Sequence, residues 1–404
     1  MDEQKNTVLD VKLKDDLKKI HDEIAIKEKY RPESISLNNF YLPIKIQNDC
    51  EYEINLNDKL YEYLGEIRGR QLVDERIYNR TKSNVEKIKQ AMSFYYDADI
   101  SNAKKIIFNM LQDYCSDSFI VSSIDNSPAI RGITKINESN SSGDLLAKAK
   151  PSFFRARVGS IGYEKMDLLH IPFNKRGYIS TQRFSIAGVP CMYFGLTSYV
   201  CWLELGKPLD RDFNVASFEI NNNIKVLNLA INQMLINSLS TIPINGQNIG
   251  SLIEFFPLVI ATSYKVKEEN RSFCSEYIIS QLIMQCLSEL GIDGVAYISK
   301  CIKEDSGNFP YAVNVAIPMK KDSKLYSKFA EKVPLTNPIN YAEYKNFESK
   351  PKSKSDEIAY VNMWDKYNKK LNMDYMGNKI KYTKLSFSIF DDYLFNEEHK
   401  PVRK

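Results

Sequence analysis

Residues 153–204 carry the side chains best suited to chemistry in this chain. Three of the four arginines in this stretch, Arg155, Arg157 and Arg183, fall in two places. An aromatic segment with Tyr193 follows them, and then one carboxylate, Glu204, in an otherwise apolar helical segment. Planar guanidinium groups bind phosphate oxygens through paired hydrogen bonds, and a carboxylate beside a sugar stabilises the positive charge that develops when a glycosidic bond breaks. These residue types predict a site for an anionic nucleotide whose glycosidic bond is to be cleaved.

A mixture of short strands and helices must position these side chains. The apolar patterns predict strands over 189–196, 215–220, 224–229, 258–264, 295–298 and 312–317. They predict helices over 198–205 and 276–290, the second ending at Gly291. Strands and helices do not alternate regularly, which favours an α+β fold over a doubly wound one.

The regions on either side differ in composition. Residues 1–148 are predicted to be mostly helical, with segments over 11–30, 56–73, 83–95 and 101–114 and with Ser101 as an N-cap. The polar run 137–143 marks the boundary with a predicted catalytic domain over 149–320. Residues 321–404 form a charged C-terminal extension, in which we expect an exposed loop over 349–356 and a helix over 356–371.

Charge and hydropathy argue against a nucleic-acid-binding, a membrane-spanning or a secreted protein. The net charge is only +4 over 404 residues, so nothing in the overall charge indicates nucleic-acid binding. No window approaches 18 uninterrupted apolar residues, and the charged start of the chain has no apolar signal-peptide core. We therefore expect a cytoplasmic protein without a membrane partner.

The sequence gives little support for a metal site, for a catalytic histidine or for a glycine-rich phosphate-binding loop. The seven cysteines form no CxxC pair, which predicts reduced thiols and no metal site. Of the three histidines, only His170 falls in the predicted catalytic domain, and we interpret it as a loop or strand-end residue. Neither a GxxxxGK[ST] nor a GxGxxG motif is present, so any nucleotide must be held by side chains.

Several short motifs occur in one order over about residues 150–320. They are Phe154-Arg155-Ala156-Arg157, Arg183-Phe184-Ser185, Met192-Tyr193-Phe194-Gly195, Trp202-Leu203-Glu204-Leu205-Gly206, Gly294-Val295-Ala296-Tyr297-Ile298-Ser299 and Asn314-Val315-Ala316-Ile317-Pro318. This series resembles the RES domain, a family named for its Arg, Glu and Ser residues. The resemblance implies an ADP-ribosyltransferase-like mixed β core with flanking helices, behind a mostly helical N-terminal domain.

The resemblance also implies an activity. Many RES proteins are toxins of toxin–antitoxin pairs that destroy NAD by hydrolysis or phosphorolysis of the nicotinamide–ribose bond. We therefore expect an enzyme with NAD as its substrate, no metal, and an antitoxin protein as partner. Whether the chain forms a homo-oligomer stays open.

Site residues follow from the matched motifs. The resemblance assigns catalysis to Arg155, Tyr193, Glu204 and Ser299. It assigns substrate binding to Arg157, Arg183, Ser185, Ser280 and Gln281, with Ser280 as the rival of Ser299 for the family serine. Two positions depart from the family pattern, because Ser185 replaces its usual Asn and Ala156 replaces the Tyr of some members. The arginines could instead cap strands, and Tyr193 could be a core residue.

Two other functions remain open. An ADP-ribosyltransferase that modifies a protein or nucleic acid would use the same Arg, Tyr and Glu residues with another acceptor. A catalytically inactive binding module is the second, and the departures at Ser185 and Ala156 favour it.

Overall fold

The computed structural model describes most of the chain. The described residues are 35–46, 51–131, 134–136, 151–160, 162–237, 239, 246–266, 273–305, 308–309, 311–322, 325–347, 359–361 and 373–402. The predicted helix over 11–30, the polar run 137–143 and the predicted loop 349–356 lie outside them.

One eight-stranded sheet is the centre of the fold. In chain order the strands are β1 (Ile44–Lys45), β2 (Val121–Ser123), β3 (Thr134–Ile136), β4 (Phe153–Val158), β5 (Cys191–Gly195), β6 (Phe213–Phe218), β7 (Lys225–Asn228), β8 (Tyr264–Lys265), β9 (Gly294–Ile298), β10 (Val313–Pro318), β11 (Ile339–Asn340), β12 (Ala359–Val361), β13 (Met373–Tyr375) and β14 (Asn378–Ile380). The large sheet has the order β11-β6-β4-β5-β10-β9-β7-β2. Its pairs are antiparallel except β7 with β9, so the sheet is mixed.

The middle of this sheet is weakly joined. β4 pairs with β6 over six residues, whereas β4 and β5 share the single pair Phe154 and Gly195. Beyond this pair no further ladder pair joins the two described strands, so the strands diverge there and the pair divides the sheet into two halves. Arg155 and Arg157 lie after Phe154 on β4, in one half of the sheet. Tyr193 lies before Gly195 on β5, in the other half.

Helices surround the sheet. They are α1 (Tyr52–Ile67), α2 (Glu75–Tyr96), α3 (Ile100–Gln112), α4 (Pro128–Arg131), α5 (Ser198–Glu204), α6 (Gln233–Asn237), α7 (Gly246–Thr262), α8 (Ile278–Cys286), α9 (Lys328–Lys332), α10 (Tyr341–Asn346) and α11 (Ser386–Asn396). Short 3₁₀ turns cover Lys165–Leu168, Phe173–Tyr178, Asp210–Asp212, Ser275–Tyr277 and Tyr382–Lys384.

Most sequence predictions of these elements are confirmed. Strands β5, β6, β7, β9 and β10 and helices α1, α2, α3, α5 and α8 all overlap the predicted segments. The largest differences are that α2 begins at Glu75 instead of residue 83 and that α1 ends at Ile67 instead of residue 73. Helix α8 ends at Cys286, earlier than the predicted end at 290, and Gly291 takes a φ of 68° in the turn that follows. The predicted N-cap Ser101 is wrong, because Asp99 caps α3 by accepting a hydrogen bond from the Asn102 amide at 3.1 Å.

The strand predicted over 258–264 is wrong at 258–262, and of the predicted segment only Tyr264 lies in a strand, β8. Residues 258–262 are the last part of helix α7, which contains Pro257 in its interior. A short apolar run that is buried on all sides has no periodicity to separate helix from strand. Proline removes the hydrogen bond to the carbonyl four residues earlier, that of Ile253. The Tyr63 hydroxyl donates to this carbonyl at 3.0 Å, so the helix continues through the proline without a lost partner.

The flanking regions take part in the same structure. α7 packs against α1 and α2, and β2 forms one edge of the large sheet. The C-terminal region supplies β11 at the other edge, and α11 packs against α5 and β6. The boundaries at 148 and 320 stay a prediction. The helix predicted over 356–371 is wrong at 359–361, which form β12 paired with β3, and its other residues lie outside the described part.

The described chain is thus a mixed α/β structure around one large mixed sheet. Among its described residues, no helix combines the length and the apolar character needed to cross a membrane.

Candidate functional site

Helix α5 begins directly after strand β5, which brings its last residue, Glu204, back over the sheet. Gly195 makes this tight connection possible, since a Cβ there would lie 2.4 Å from Val200 Cγ1. The Thr197 hydroxyl caps the helix by accepting from the Val200 amide at 3.1 Å, and it donates to the Tyr311 carbonyl at 2.8 Å. The start of α5 is therefore fixed to the strand layer.

Glu204 lies on the exposed side of α5, contrary to the expectation that it is enclosed by apolar neighbours. Cys201 and Leu203 are buried, while Glu204 at the last helical position points away from them. Its carboxylate is nevertheless held: Oε1 accepts from Asn314 Nδ2 of β10 at 2.7 Å, and the Cys301 thiol lies 3.7 Å from Oε2. The acid is thus solvent-accessible and fixed in direction.

Arg183 is buried beside this carboxylate. Its Nη2 donates to the Ile298 carbonyl at 2.7 Å and its Nη1 donates to the Thr262 carbonyl at 3.2 Å. The guanidinium carbon lies 4.4 Å from the ring centre of Tyr297. Burial lowers the pKa of Arg183, and the nearby Tyr297 and Glu204 partly restore it. A guanidinium carries five N–H donors, and these two hydrogen bonds use two of them.

The turn that carries Arg183 is tied to strand β5 and helix α8. The Tyr193 hydroxyl donates to the Phe184 carbonyl at 2.8 Å, and Gln281 Nε2 donates to the Gln182 carbonyl at 3.3 Å. The buried Ser185 hydroxyl donates to the same Gln182 carbonyl at 2.8 Å. Tyr193, Ser185 and Gln281 therefore hold the Arg183 turn rather than offer free groups to a ligand.

Arg155 and Arg157 lie at another part of the sheet. Both donate from Nη2 to the Leu169 carbonyl, at 3.2 Å and 3.1 Å, and Arg157 Nε donates to the Asp167 carbonyl at 2.9 Å. Nε and Nη1 of Arg155 are buried without a hydrogen-bond partner. Burial lowers the pKa of Arg155 to about 9, with the like charge of Arg157 adding to the effect. Arg155 is thus a buried cation with unused donors.

The two candidate serines have different surroundings. Ser299 follows β9, and its hydroxyl accepts from the Cys301 amide at 3.0 Å, which orients the thiol that contacts Glu204. Ser280 is fully buried in α8, and its hydroxyl has no hydrogen-bond partner. Ser299 is therefore linked to the carboxylate through one residue.

Three residues near Glu204 were missed by the sequence reasoning as site residues: Asn314, Tyr297 and Lys300. Asn314 and Tyr297 are cross-strand partners on β10 and β9. The Lys300 amine lies 4.3 Å from the ring centre of Tyr277. Asn314 and Tyr297 belong to two of the motifs on which the resemblance to the RES domain rests. The polar side chain of Asn314 and the aromatic ring of Tyr297 could therefore have marked them as site residues.

Groups outside this region have structural roles. His170 lies in a loop, as predicted, where Nδ1 lies 2.8 Å from the Ile171 carbonyl and Nε2 accepts from the Ser327 amide at 2.9 Å. This arrangement requires neutral imidazole, and burial lowers the pKa of His170 accordingly.

The described cysteines are all free. In the described ranges, no group of three or more His, Cys, Asp or Glu side chains could hold a metal ion.

A cavity of about 750 Å³ lies elsewhere, between the turn around Asn222 and helix α9. Lys328 and Lys332 line it, but none of the nine predicted site residues does. Its position gives no support to the predicted site, which is defined by side-chain contacts instead.

Comparison with known proteins gives one relative. A protein of Bacillus subtilis (strain 168) named "Putative toxin YopC" is 31% identical over 215 residues. The match covers 50% of this chain and 49% of that protein, so the chain spans about half the length of the relative. No protein-family model matches the chain, and no solved structure matches it.

Proposed function

We propose that this protein is a toxin-like enzyme that cleaves the nicotinamide–ribose bond of NAD, with water or phosphate as the acceptor. The observation that carries the proposal is the Glu204 carboxylate, which is exposed, held by Asn314 and close enough to Arg183 to influence its pKa. A fixed acid beside a cation and aromatic rings suits a substrate that combines phosphates, a sugar and planar rings.

Cleavage of the nicotinamide–ribose bond requires mainly the stabilisation of charge. When the bond breaks, nicotinamide leaves as a neutral ring and positive charge develops on the ribose. A carboxylate near C1′ and the 2′-hydroxyl stabilises that charge, so no strong acid is needed for the leaving group. Two observations support this role for Glu204: Asn314 donates a hydrogen bond to its carboxylate, and the side chain is accessible to solvent.

The cations fit the pyrophosphate of NAD. Arg183 uses two of its donors on main-chain carbonyls and keeps others for phosphate oxygens. Arg155 has two donor atoms without partners in a dry environment, an unfavourable state that an anion would relieve. The divergence of β4 from β5 beyond Phe154 and Gly195 supports a substrate lying between the two halves of the sheet.

The toxin-like role rests on the relative. That protein is named as a toxin, and it is 31% identical to this chain over half of its length. NAD depletion would stop growth, and a neutralising antitoxin protein is the corresponding partner. The fold remains proposed as ADP-ribosyltransferase-like.

The test is product analysis. Purified protein is incubated with NAD in buffers with and without phosphate, and the products are identified by mass spectrometry. We expect free nicotinamide together with ADP-ribose, or with ADP-ribose 1-phosphate where phosphate is the acceptor. A covalent adduct of ADP-ribose on a macromolecule from cell extract would show a transferase instead. Unchanged NAD in every buffer, together with no binding of NAD by calorimetry, would establish an inactive module.

A further inference from the structure

Lys300 is a charged side chain near the candidate site for which the proposed cleavage has no role. It lies between Ser299, whose hydroxyl accepts from the Cys301 amide, and Cys301, whose thiol contacts Glu204. Its amine lies over the ring of Tyr277 and is buried without a hydrogen-bond partner. A buried amine whose three N–H donors have no acceptor lowers the stability of the folded protein.

Groups of both signs act on this amine. The guanidinium of Arg183 opposes its charge, while the carboxylates of Glu276 and Glu204 and the thiol of Cys274 favour it. Burial has the largest effect and lowers the pKa of Lys300 well below its usual value, with Arg183 adding to it. The ring of Tyr277 attracts the protonated amine only modestly. In the free protein the amine therefore holds its proton weakly.

We propose that Lys300 is a second cationic contact, beside Arg183, for the phosphate oxygens of the nucleotide, and that its amine takes up one proton from solvent when the nucleotide binds. The proposal rests on the proposed function. Two negative phosphates offset the repulsion from Arg183 and replace the missing hydrogen-bond acceptors. The flexible four-carbon stem lets the amine leave the Tyr277 ring without a change of the backbone.

Proton uptake makes binding depend on pH in a defined direction. Over the range in which Lys300 is neutral in the free protein and charged in the complex, affinity falls as pH rises, by up to about tenfold per pH unit for one proton. Below that range the amine is charged in both states and affinity becomes independent of pH.

The test uses calorimetry with carba-NAD, in which carbon replaces the ribose ring oxygen so that the wild-type protein does not cleave it. Titrations at several pH values, in buffers with different ionisation enthalpies, give both the affinity and the protons taken up. We expect wild type and Lys303→Met to take up protons to the same extent, with one proton as the upper limit. Lys303 is exposed in the same loop, so its variant is the matched control. Lys300→Met should bind about ten- to a hundredfold more weakly, without proton uptake.

A second ligand separates the phosphate contact from other causes. Nicotinamide riboside has the same base and sugar but no phosphate, and we expect its binding to wild type to take up no proton. If carba-NAD binds and Lys300→Met takes up as many protons as wild type, the role of Lys300 is wrong while the proposed function stands. If carba-NAD does not bind to wild type at all, both proposals are wrong.

Discussion

Glu204 and Arg155 lie on two elements that pack against each other, α5 and β4, but in opposite surroundings. Glu204 is exposed, and its carboxylate is held by Asn314 at 2.7 Å. Arg155 is buried, and two of its nitrogens have no partner. An exposed and oriented charge costs the fold little, whereas a buried charge with unused donors lowers its stability. The two charges therefore differ in access to solvent and in the use of their hydrogen-bonding atoms, and under the proposed function an anion would supply the partners that Arg155 lacks.

The C-terminal region supports helix α5, which carries Glu204. Asp391 of α11 accepts from the Ser198 amide at 2.9 Å and from the Tyr382 hydroxyl at 2.6 Å, which fixes the first turn of α5. Around these contacts, Phe387 packs against Trp202 and Tyr199. The charged extension is therefore part of the support for Glu204.

The largest effect is expected for Asp391→Ala. Removing the carboxylate leaves the Ser198 amide and the Tyr382 hydroxyl without it, so the free energy of unfolding should fall by about 3 kcal/mol. Equilibrium unfolding in urea measures this change. The neighbouring variant Asp392→Ala should change stability much less. An unfolding midpoint for Asp391→Ala equal to that of wild type would show that α11 does not support α5.

Arg155→Met should separate stability from binding. Methionine replaces a buried cation with an apolar side chain of similar length, and Arg157 still donates to the Leu169 carbonyl. We expect the free energy of unfolding to rise by about 1 kcal/mol or more, while NAD cleavage falls by at least about tenfold.

The control for this change is Arg157→Met, which removes the Nε donor to the Asp167 carbonyl and should not stabilise the protein. Urea unfolding and an NAD assay on each variant test the pair. A destabilised Arg155→Met protein with unchanged cleavage would show that Arg155 is purely structural.

A smaller effect is expected for Asn314→Ala. The variant frees the Glu204 carboxylate to move, and losing one hydrogen bond to a charged group should lower kcat by about tenfold, with little change in KM. Asn396→Ala, which removes an exposed amide on α11, should leave both constants unchanged. A rise in KM alone would mean that Asn314 contributes to binding and not to the orientation of the acid.

The sequence predicted the elements of this region better than the surroundings of its side chains. The pattern around Glu204 predicted the short helix α5, because its buried positions are apolar and it begins after a strand. It did not predict that Glu204 faces solvent, since one glutamate at the end of a seven-residue helix has no periodicity of its own. Asn314 and Lys300 come close to the site only through the pairing of β5, β10 and β9, which a single sequence does not specify. The helix α7 was missed because its last turns are apolar on every side.

The rate of NAD loss with Glu204→Gln tests the central claim most directly. Glutamine keeps the size of the side chain and removes its charge, so NAD measured by an enzymatic cycling assay should disappear about a hundredfold more slowly than with wild type. Glu343→Gln, an exposed glutamate in helix α10, should match wild type. Equal rates for wild type and Glu204→Gln would contradict the account, because the carboxylate would then have no part in breaking the bond.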